Sequence, residues 1–150
     1  MIFSPIVQND KRLNEQINKA GCLFRSLVML AEMKAGHCLS TTEIDVDLYE
    51  WLIAEGAMKP NCWVLNHEKV ITAAQHYIGV KQSAKYVMRD EADEFDFDTG
   101  VKPNYFIRHV RTKNGTGHFF VCSENGDRTW DPYWPAPDVD YYIGIRGYKL

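Results

Sequence analysis

The sequence predicts an α+β domain, in which helices come first and an antiparallel sheet follows. Apolar side chains recur at helical spacing up to about residue 79, and from residue 81 onward the pattern changes to the alternation of strands. Helices and strands that are separated along the chain in this way are typical of α+β folds. At 150 residues the chain has the length of one ordinary domain, so we expect residues 1–150 to share a single core.

The first helix carries the strongest apolar signal. Residues 1–15 are interpreted as an extended arm with a turn, because Pro5 disfavours a long helix there. The helix should begin near Gly21, run to about Lys34 and end at Gly36. Its side chains are apolar nearly all round, so we expect it at the centre of the fold, packed on the sheet.

Two further helices and five strands complete the prediction. Ser40 offers an N-cap for an amphipathic helix that stops at Gly56, and Asn66 caps a third helix over residues 67–78, which Gly79 ends. Segments of period two predict strands at residues 81–88, 104–111, 118–123, 127–131 and 142–149.

Composition restricts the classes of function. Hydrophobic residues make up 45% and aromatic residues 13%, which indicates a packed globule rather than a disordered chain. A net charge of −3 provides no general attraction to nucleic acid, so a nucleic-acid partner is disfavoured. No segment approaches the roughly 20 apolar residues of a membrane span, and no secretory signal is evident at the N-terminus. We therefore expect a cytoplasmic protein without a membrane partner.

The four cysteines are expected to be free thiols. Their wide spacing, the large expected core and the lack of an export signal argue against disulfides. Close Cys-x-x-Cys spacing, the mark of a zinc ribbon, does not occur. His37-Cys38 and Cys62 with His67 are the weak alternative of a metal site, and we expect neither a metal nor a cofactor.

Cys22 stands directly before the central helix and is the best candidate for a nucleophile. Unpaired backbone N–H groups and the positive end of the helix dipole stabilise a thiolate at such a position. Gly21 removes a Cβ where a substrate or an oxyanion needs to approach. Gln16, six positions before the cysteine, is a candidate to direct its amide to the same oxyanion. Without this context, a lone cysteine at a helix start is more often a small apolar residue.

His118 and Asp131 are the matching candidates for a base and its orienting carboxylate. His118 opens the strand Gly117-His118-Phe-Phe-Val-Cys122, and Asp131 ends the next short strand at an Asp-Pro turn. Adjacent antiparallel strands would hold the two side chains together, so that His118 deprotonates the thiol and Asp131 fixes the imidazole. The other histidines lack such a turn and strand with a nearby aspartate.

The order of these residues resembles that of the papain-like cysteine peptidases, in particular the small bacteriocin-processing type called C39-like. The resemblance covers residues 16–33 and 117–132 and consists of a glutamine, a cysteine at a helix start, a Gly-His-Phe strand and an Asp-Pro turn. It departs from the family at Gly21-Cys22-Leu23, where the processing peptidases usually have Asp-Cys-Gly. The segment Gly21-Cys22-Leu-Phe-Arg-Ser-Leu27 also looks similar to small uncharacterised phage and plasmid proteins of bacteria.

The resemblance implies a papain-like fold and a cysteine peptidase or related amidohydrolase with Cys22, His118, Asp131 and Gln16 in the site. A peptide is the first expectation for the substrate, while an isopeptide, a peptidoglycan stem and a glutamine side chain stay open. The alternative is a catalytically inactive papain-like module, encoded by a phage or plasmid, that binds a host protein.

Three further segments keep two interpretations each. The acidic run at residues 90–98 is interpreted as a solvated loop, with selection of basic substrates as the alternative. The basic hairpin at residues 108–113 is interpreted as solvated, with binding of an anionic chain as the alternative. Aromatic residues crowd the region after the Asp-Pro turn and belong either to the core or to the wall of a groove: Trp130, Tyr133, Trp134 and Tyr141.

Overall fold

Helices occupy the first half of the chain and strands the second in the computed structural model, which describes residues 3–91 and 100–150. The prediction of an α+β fold is therefore confirmed. The helices are α1 (Glu15–Ala20), α2 (Cys22–Ala35), a π-helical segment (Glu43–Glu50) that continues into α3 (Trp51–Ala54), and α4 (His67–Ile78). The strands are β1 (Lys85–Glu91), β2 (Tyr105–Thr112), β3 (Gly117–Cys122), β4 (Arg128–Trp130) and β5 (Val139–Lys149).

The capping signals located the helix ends well. Asn66 accepts a hydrogen bond from the N–H of Lys69 at the start of α4, and Gly36 ends α2 in the left-handed region, with φ of 68°. Ser40 and Glu43 form the reciprocal pair of a capping box, at 3.2 and 3.0 Å. The following helix is π-helical over eight residues, a pitch that these end signals do not specify.

The start of the chain differs from the sequence prediction, because α1 occupies residues that were expected to precede the first helix. Asn14 caps α1 by accepting a hydrogen bond from the N–H of Ile17 at 3.0 Å. Only Gly21 separates α1 from α2, and a Cβ on Gly21 would lie 2.6 Å from the backbone oxygen of Ile17. The glycine is therefore required by the close approach of the two helices.

Within the described residues, the strands form one antiparallel sheet in the order β1-β5-β2-β3-β4. In the β2–β3 hairpin, Val110 pairs with His118 and Phe106 with Cys122. One core joins α2 and α4 to sheet residues such as Ile107, Val121 and Tyr148. A second, smaller cluster contains Phe106, Val110, Phe120 and Cys122.

The acidic run was interpreted as a solvated loop over residues 90–98, and residues 92–99 lie outside the described part. The first two residues of the run belong to β1 instead of a loop. Glu91 is buried, and its Oε1 accepts a hydrogen bond from Nε of Arg146 at 2.9 Å. Across the described ranges, no helix has the length and apolarity that crossing a bilayer demands.

An ion pair lies inside the protein between Arg25 and Glu32 of α2, and both side chains are fully buried. Nη1 of Arg25 lies 2.6 Å from Oε1 of Glu32, although its angles do not satisfy a hydrogen bond. The other carboxylate oxygen accepts a hydrogen bond from the N–H of Leu39 at 2.8 Å. Arg25 also donates from Nε to the carbonyl of Ile6 at 2.5 Å and lies 5.1 Å from the ring centroid of Trp130. One guanidinium thus connects the N-terminal arm, α2 and β4.

We expect Gly21→Ala to lower the free energy of unfolding by roughly 1–3 kcal/mol, because the backbone of α1 cannot give way to the added methyl group. Chemical denaturation measures the change. Gly117→Ala is the matched control, since a Cβ there meets only His109, at 3.8 Å. Equal stability of the two variants would contradict the tight junction of α1 and α2.

We expect Arg25→Ala to lower the free energy of unfolding by about 3–5 kcal/mol, because the carboxylate of Glu32 stays buried without its cation. Arg12→Ala is the control, since Arg12 pairs with Asp10 at 2.7 Å and is 67% exposed, where an ion pair contributes little to stability. An equal decrease in the free energy of unfolding in both variants would show that the buried ion pair matters no more for stability than the exposed one.

Candidate active site

Cys22 is the first residue of α2, and its surroundings leave the helix N-terminus open. Gly21 precedes it as the N-cap, and no side chain caps the helix. The first N–H groups of a helix have no partner within the helix, so they are available to a ligand. Cys22 is partly exposed, whereas the helix becomes buried from Phe24 onward. The thiol therefore lies at the accessible, positive end of the helix dipole.

His118 lies at the second position of β3 and is 6% exposed. Its Nε2 lies 2.8 Å from Oδ1 of Asp131, which directly follows β4. The strands β3 and β4 pair antiparallel, which brings the imidazole and the carboxylate together. Since Nε2 faces the carboxylate, Nδ1 is the ring nitrogen that is left to interact with Cys22.

The carboxylate of Asp131 is held by three donors. Its Oδ1 also accepts a hydrogen bond from the N–H of Tyr133 at 2.8 Å, and its Oδ2 accepts one from Nη1 of Arg128 at 3.0 Å. Arg128 in turn donates to the carbonyl of Pro137 at 3.1 Å and lies over the ring of Phe120. This network fixes the orientation of Asp131 and hence of the imidazole.

The pKa of His118 reflects its two partners. Burial lowers the pKa, but the hydrogen bond with Asp131, the hydrogen bond with Cys22 and the negative charges of both groups outweigh it. The net effect raises the pKa of His118 to about 9. An imidazolium is therefore favoured at neutral pH, in contact with the sulfur of Cys22 and the carboxylate of Asp131.

Cys22 and His118 open onto a cleft of about 540 Å³. The N-terminal arm forms one wall, and the β2–β3 turn contributes to the lining as well. The lining residues are Gln8, Asn9, Lys11, Asn18, Lys19, Cys22, Thr112, Asn114, Thr116, Gly117, His118, Tyr133 and Pro137. The cleft is thus large enough for several residues of a peptide, and its lysine and amide side chains lie within a mainly apolar surface.

The structure brings three of the four predicted site residues together and leaves Gln16 apart. Gln16 is exposed on α1 and is not part of the cleft lining. Gln8 lies in the cleft wall instead, 3% exposed, and its Nε2 reaches the carbonyls of Ile17 and Asn18 at 3.5 and 3.3 Å. Sequence reasoning missed Gln8, because a single amide in an irregular arm has no local pattern that marks it.

The arm is fastened to the segment that follows Asp131. The N–H of Gln8 donates to the carbonyl of Pro132 at 2.6 Å, and Asn9 and Trp134 exchange two hydrogen bonds, at 2.5 and 3.0 Å. The arm was predicted as extended, and these contacts give it a defined place beside the site.

The aromatic residues near the Asp-Pro turn were assigned either to the core or to a groove wall. Trp130 packs against the core, and Tyr133 lines the cleft. Trp134 and Tyr141 are exposed.

The other thiols are worse placed for nucleophilic chemistry. Burial raises the pKa of Cys62 to about 12, with a smaller contribution from the charge of Cys22, and burial likewise raises the pKa of Cys122 to about 12. Burial and the charge of Glu32 raise the pKa of Cys38 as well.

Within residues 3–91 and 100–150, no group of three or more His, Cys, Asp and Glu side chains is arranged to hold a metal ion.

Comparison with known proteins places the chain in a family without assigning it an activity. A family model described as "Protein of unknown function, DUF261" matches residues 3–142. No curated protein and no solved structure matches the chain. The matched range contains Cys22, His118 and Asp131, together with the arm that walls the cleft. The chain therefore belongs to the DUF261 family of proteins of unknown function.

Proposed function

We propose that the protein is a thiol-dependent amide hydrolase, with a peptide as the first expected substrate. The observation that carries the proposal is a buried histidine that interacts with an accessible helix-terminal cysteine and, through Nε2, with a fixed carboxylate. A nucleophile, a base and an orienting group in contact are the requirements of covalent acyl transfer.

The reaction follows from this arrangement. The thiolate of Cys22 attacks the carbonyl carbon of the substrate and forms a tetrahedral intermediate. His118, which holds the proton, transfers it from Nδ1 to the leaving nitrogen as the C–N bond breaks, and an acyl-thioester is left on Cys22. His118 then takes a proton from water, and the hydroxide attacks the thioester. The C–S bond breaks, the acid product leaves, and the thiolate of Cys22 is restored beside the protonated His118.

The negative oxygen of the intermediate needs hydrogen-bond donors, and the open N-terminus of α2 supplies them. The backbone N–H of Cys22 is one donor, and the helix dipole adds a positive potential. Gln16 has no part in this proposal because it lies outside the cleft lining. Gln8 serves to position the site, since its Nε2 holds the carbonyl groups at the end of α1.

Two features support a papain-like relationship, as the resemblance in the sequence implies. The nucleophile begins a helix that contacts an antiparallel sheet, and the histidine and the carboxylate lie on adjacent strands of that sheet. The imidazole faces its carboxylate through Nε2, which leaves Nδ1 for the thiol. The more specific proposal is a C39-like peptidase. Because the chain has Gly21-Cys22-Leu23 where those peptidases usually have Asp-Cys-Gly, its substrate is expected to differ from theirs.

We expect Cys22 to be alkylated by iodoacetamide at least about tenfold faster than Cys38 at pH 6.5, because a protonated His118 stabilises the thiolate. Mass spectrometry of the native protein against pH measures both rates. Cys38 is an internal control, since it is partly exposed and burial raises its pKa. His118→Ala should slow the labelling of Cys22 and leave that of Cys38 unchanged.

Slow labelling of Cys22 that increases only with ordinary thiol ionisation, and is unchanged by His118→Ala, would contradict the hydrolase. A binding module that retains the fold would then be the remaining function. Mass spectrometry after reaction with an activated ester gives an independent check, because only a nucleophilic Cys22 retains the acyl group.

We expect the imidazole of His118 to titrate with a midpoint near pH 9 in NMR spectra. Asp131→Asn and Cys22→Ser should each lower the midpoint, since each removes a negative partner and burial alone lowers the pKa. His76, which is exposed, serves as the control in the same spectra. A midpoint at or below 6.5 in the unaltered protein would refute the charged pair.

The raised pKa of His118 also makes the stability of the fold depend on pH. Because the pKa of His118 in the folded state exceeds the ordinary value of 6.5, its protonation stabilises the fold fully below pH 6.5. This contribution declines as the pH rises through about 9.

A further inference from the structure

We propose that the cleft selects acidic substrates, in which carboxylates flank the amide bond that Cys22 attacks. The inference rests on the proposed function and specifies its substrate class. Its basis is the charge of the cleft walls, which is opposite in sign to the net charge of −3 of the whole chain.

The lining of the cleft contains cations and amides but no acid among its described residues. Lys11 and Lys19 lie on the wall formed by the arm and α1, and the polar residues around them are uncharged. The chain as a whole has 20 acidic and 17 basic residues, so an acid-free lining with two lysines differs from the average surface. Asp131 lies behind His118, only 5% exposed, and its charge is engaged by that histidine and by Arg128.

The acid next to Lys11 in the sequence is already neutralised. Asp10 accepts hydrogen bonds from Nε and Nη2 of Arg12, at 3.0 and 2.7 Å, and from the backbone N–H of Arg12 at 2.9 Å. The hydrogen bond from the Arg12 side chain lowers the pKa of Asp10 despite its partial burial. The charge of Lys11 is therefore left to act on the cleft.

Lys19 has a counter-ion that a substrate can replace. Its Nζ lies 2.7 Å from Oε1 of Glu15 one helical turn earlier, and the two side chains are 66% and 75% exposed. Exposed pairs of this spacing contribute little to stability, so exchange of Glu15 for a substrate carboxylate costs little. The ammonium group is thus available to a ligand in the cleft.

The wall formed by the β2–β3 turn has no acid among its described residues. The turn between β2 and β3 contributes Thr112, Asn114 and Thr116 to the lining, and Lys113 lies among them in the sequence. No aspartate or glutamate occurs between Val101 and Ser123. The ammonium groups of Lys11 and Lys19 therefore attract anions to the cleft over a range of about one Debye length, roughly 8 Å at physiological salt.

Matched irreversible probes test the inference. Three peptide chloromethyl ketones, Ac-Glu-Glu-Ala, Ac-Gln-Gln-Ala and Ac-Lys-Lys-Ala, share the same reactive end, and the second-order rate of Cys22 labelling is measured for each at low salt. We expect the glutamate probe to react at least about tenfold faster than the lysine probe, with the glutamine probe between them. Raising the salt concentration should compress the difference.

Charge-reversal variants test whether the lysines of the cleft cause the preference for the glutamate probe. Lys11→Glu and Lys19→Glu should each reduce the ratio of the two rates several-fold, and the double variant should reverse it. Glu15→Gln should raise the ratio up to about twofold, because it removes the counter-ion of Lys19. Lys59→Glu is the control, since Lys59 is exposed outside the cleft lining, and it should leave the ratio unchanged.

The neutral reagent iodoacetamide separates the two ideas that are under test. Fast labelling of Cys22 by iodoacetamide that depends on His118, with equal rates for the three probes, would overturn the acidic preference and leave the hydrolase intact. Slow labelling by iodoacetamide would overturn the hydrolase itself. A ratio that changes as much in Lys59→Glu as in Lys11→Glu would show a general charge effect and would also overturn the assignment to the cleft.

Discussion

The buried guanidinium of Arg25 is the constraint on which the rest of the site depends. Taking such a charge out of water costs several kcal/mol, and only partners in fixed positions offset that cost. Its partners are the carboxylate of Glu32, the carbonyl of Ile6 and the ring of Trp130. Trp130 immediately precedes Asp131, and Arg25 lies one turn after Cys22. The ion pair therefore couples the position of the nucleophile to that of the carboxylate, although the two side chains come from distant parts of the chain.

The N-terminal arm adds a second coupling of the same kind. Its backbone and side chains contact the end of α1 through Gln8 and the segment after Asp131 through Gln8 and Asn9. A segment with no regular structure before α1 thus becomes a wall of the cleft. The arm makes these contacts mainly through the side-chain amides of Gln8 and Asn9, which bond to backbone groups of the neighbouring segments, and this explains why the arm has a defined place without an apolar pattern.

The sequence specified the helices, the sheet and the local setting of three site residues, because caps, periodicity and turns are local signals. It failed at α1, since a six-residue helix with Ile17 as its buried residue has no periodicity to detect. The assignment of Gln16 depended on its spacing from Cys22, and α1 places that side chain in solvent. The position of Gln8 is set by tertiary contacts, which one sequence does not reveal. The π-helical pitch after Thr42 likewise has no signal in the sequence.

The contrast among the four thiols is the strongest argument that the site performs chemistry. A histidine–aspartate pair with an arginine behind it can serve stability alone, and a cysteine at a helix start can be mere packing. Packing cysteines in this chain look like Cys62 and Cys122, which are buried and whose pKa burial raises to about 12. Cys22 is instead partly exposed, begins a helix that no side chain caps, faces a cleft and interacts with His118, whose pKa its partners raise to about 9. Packing requires none of these four properties, whereas each of them favours acyl transfer through a thiolate.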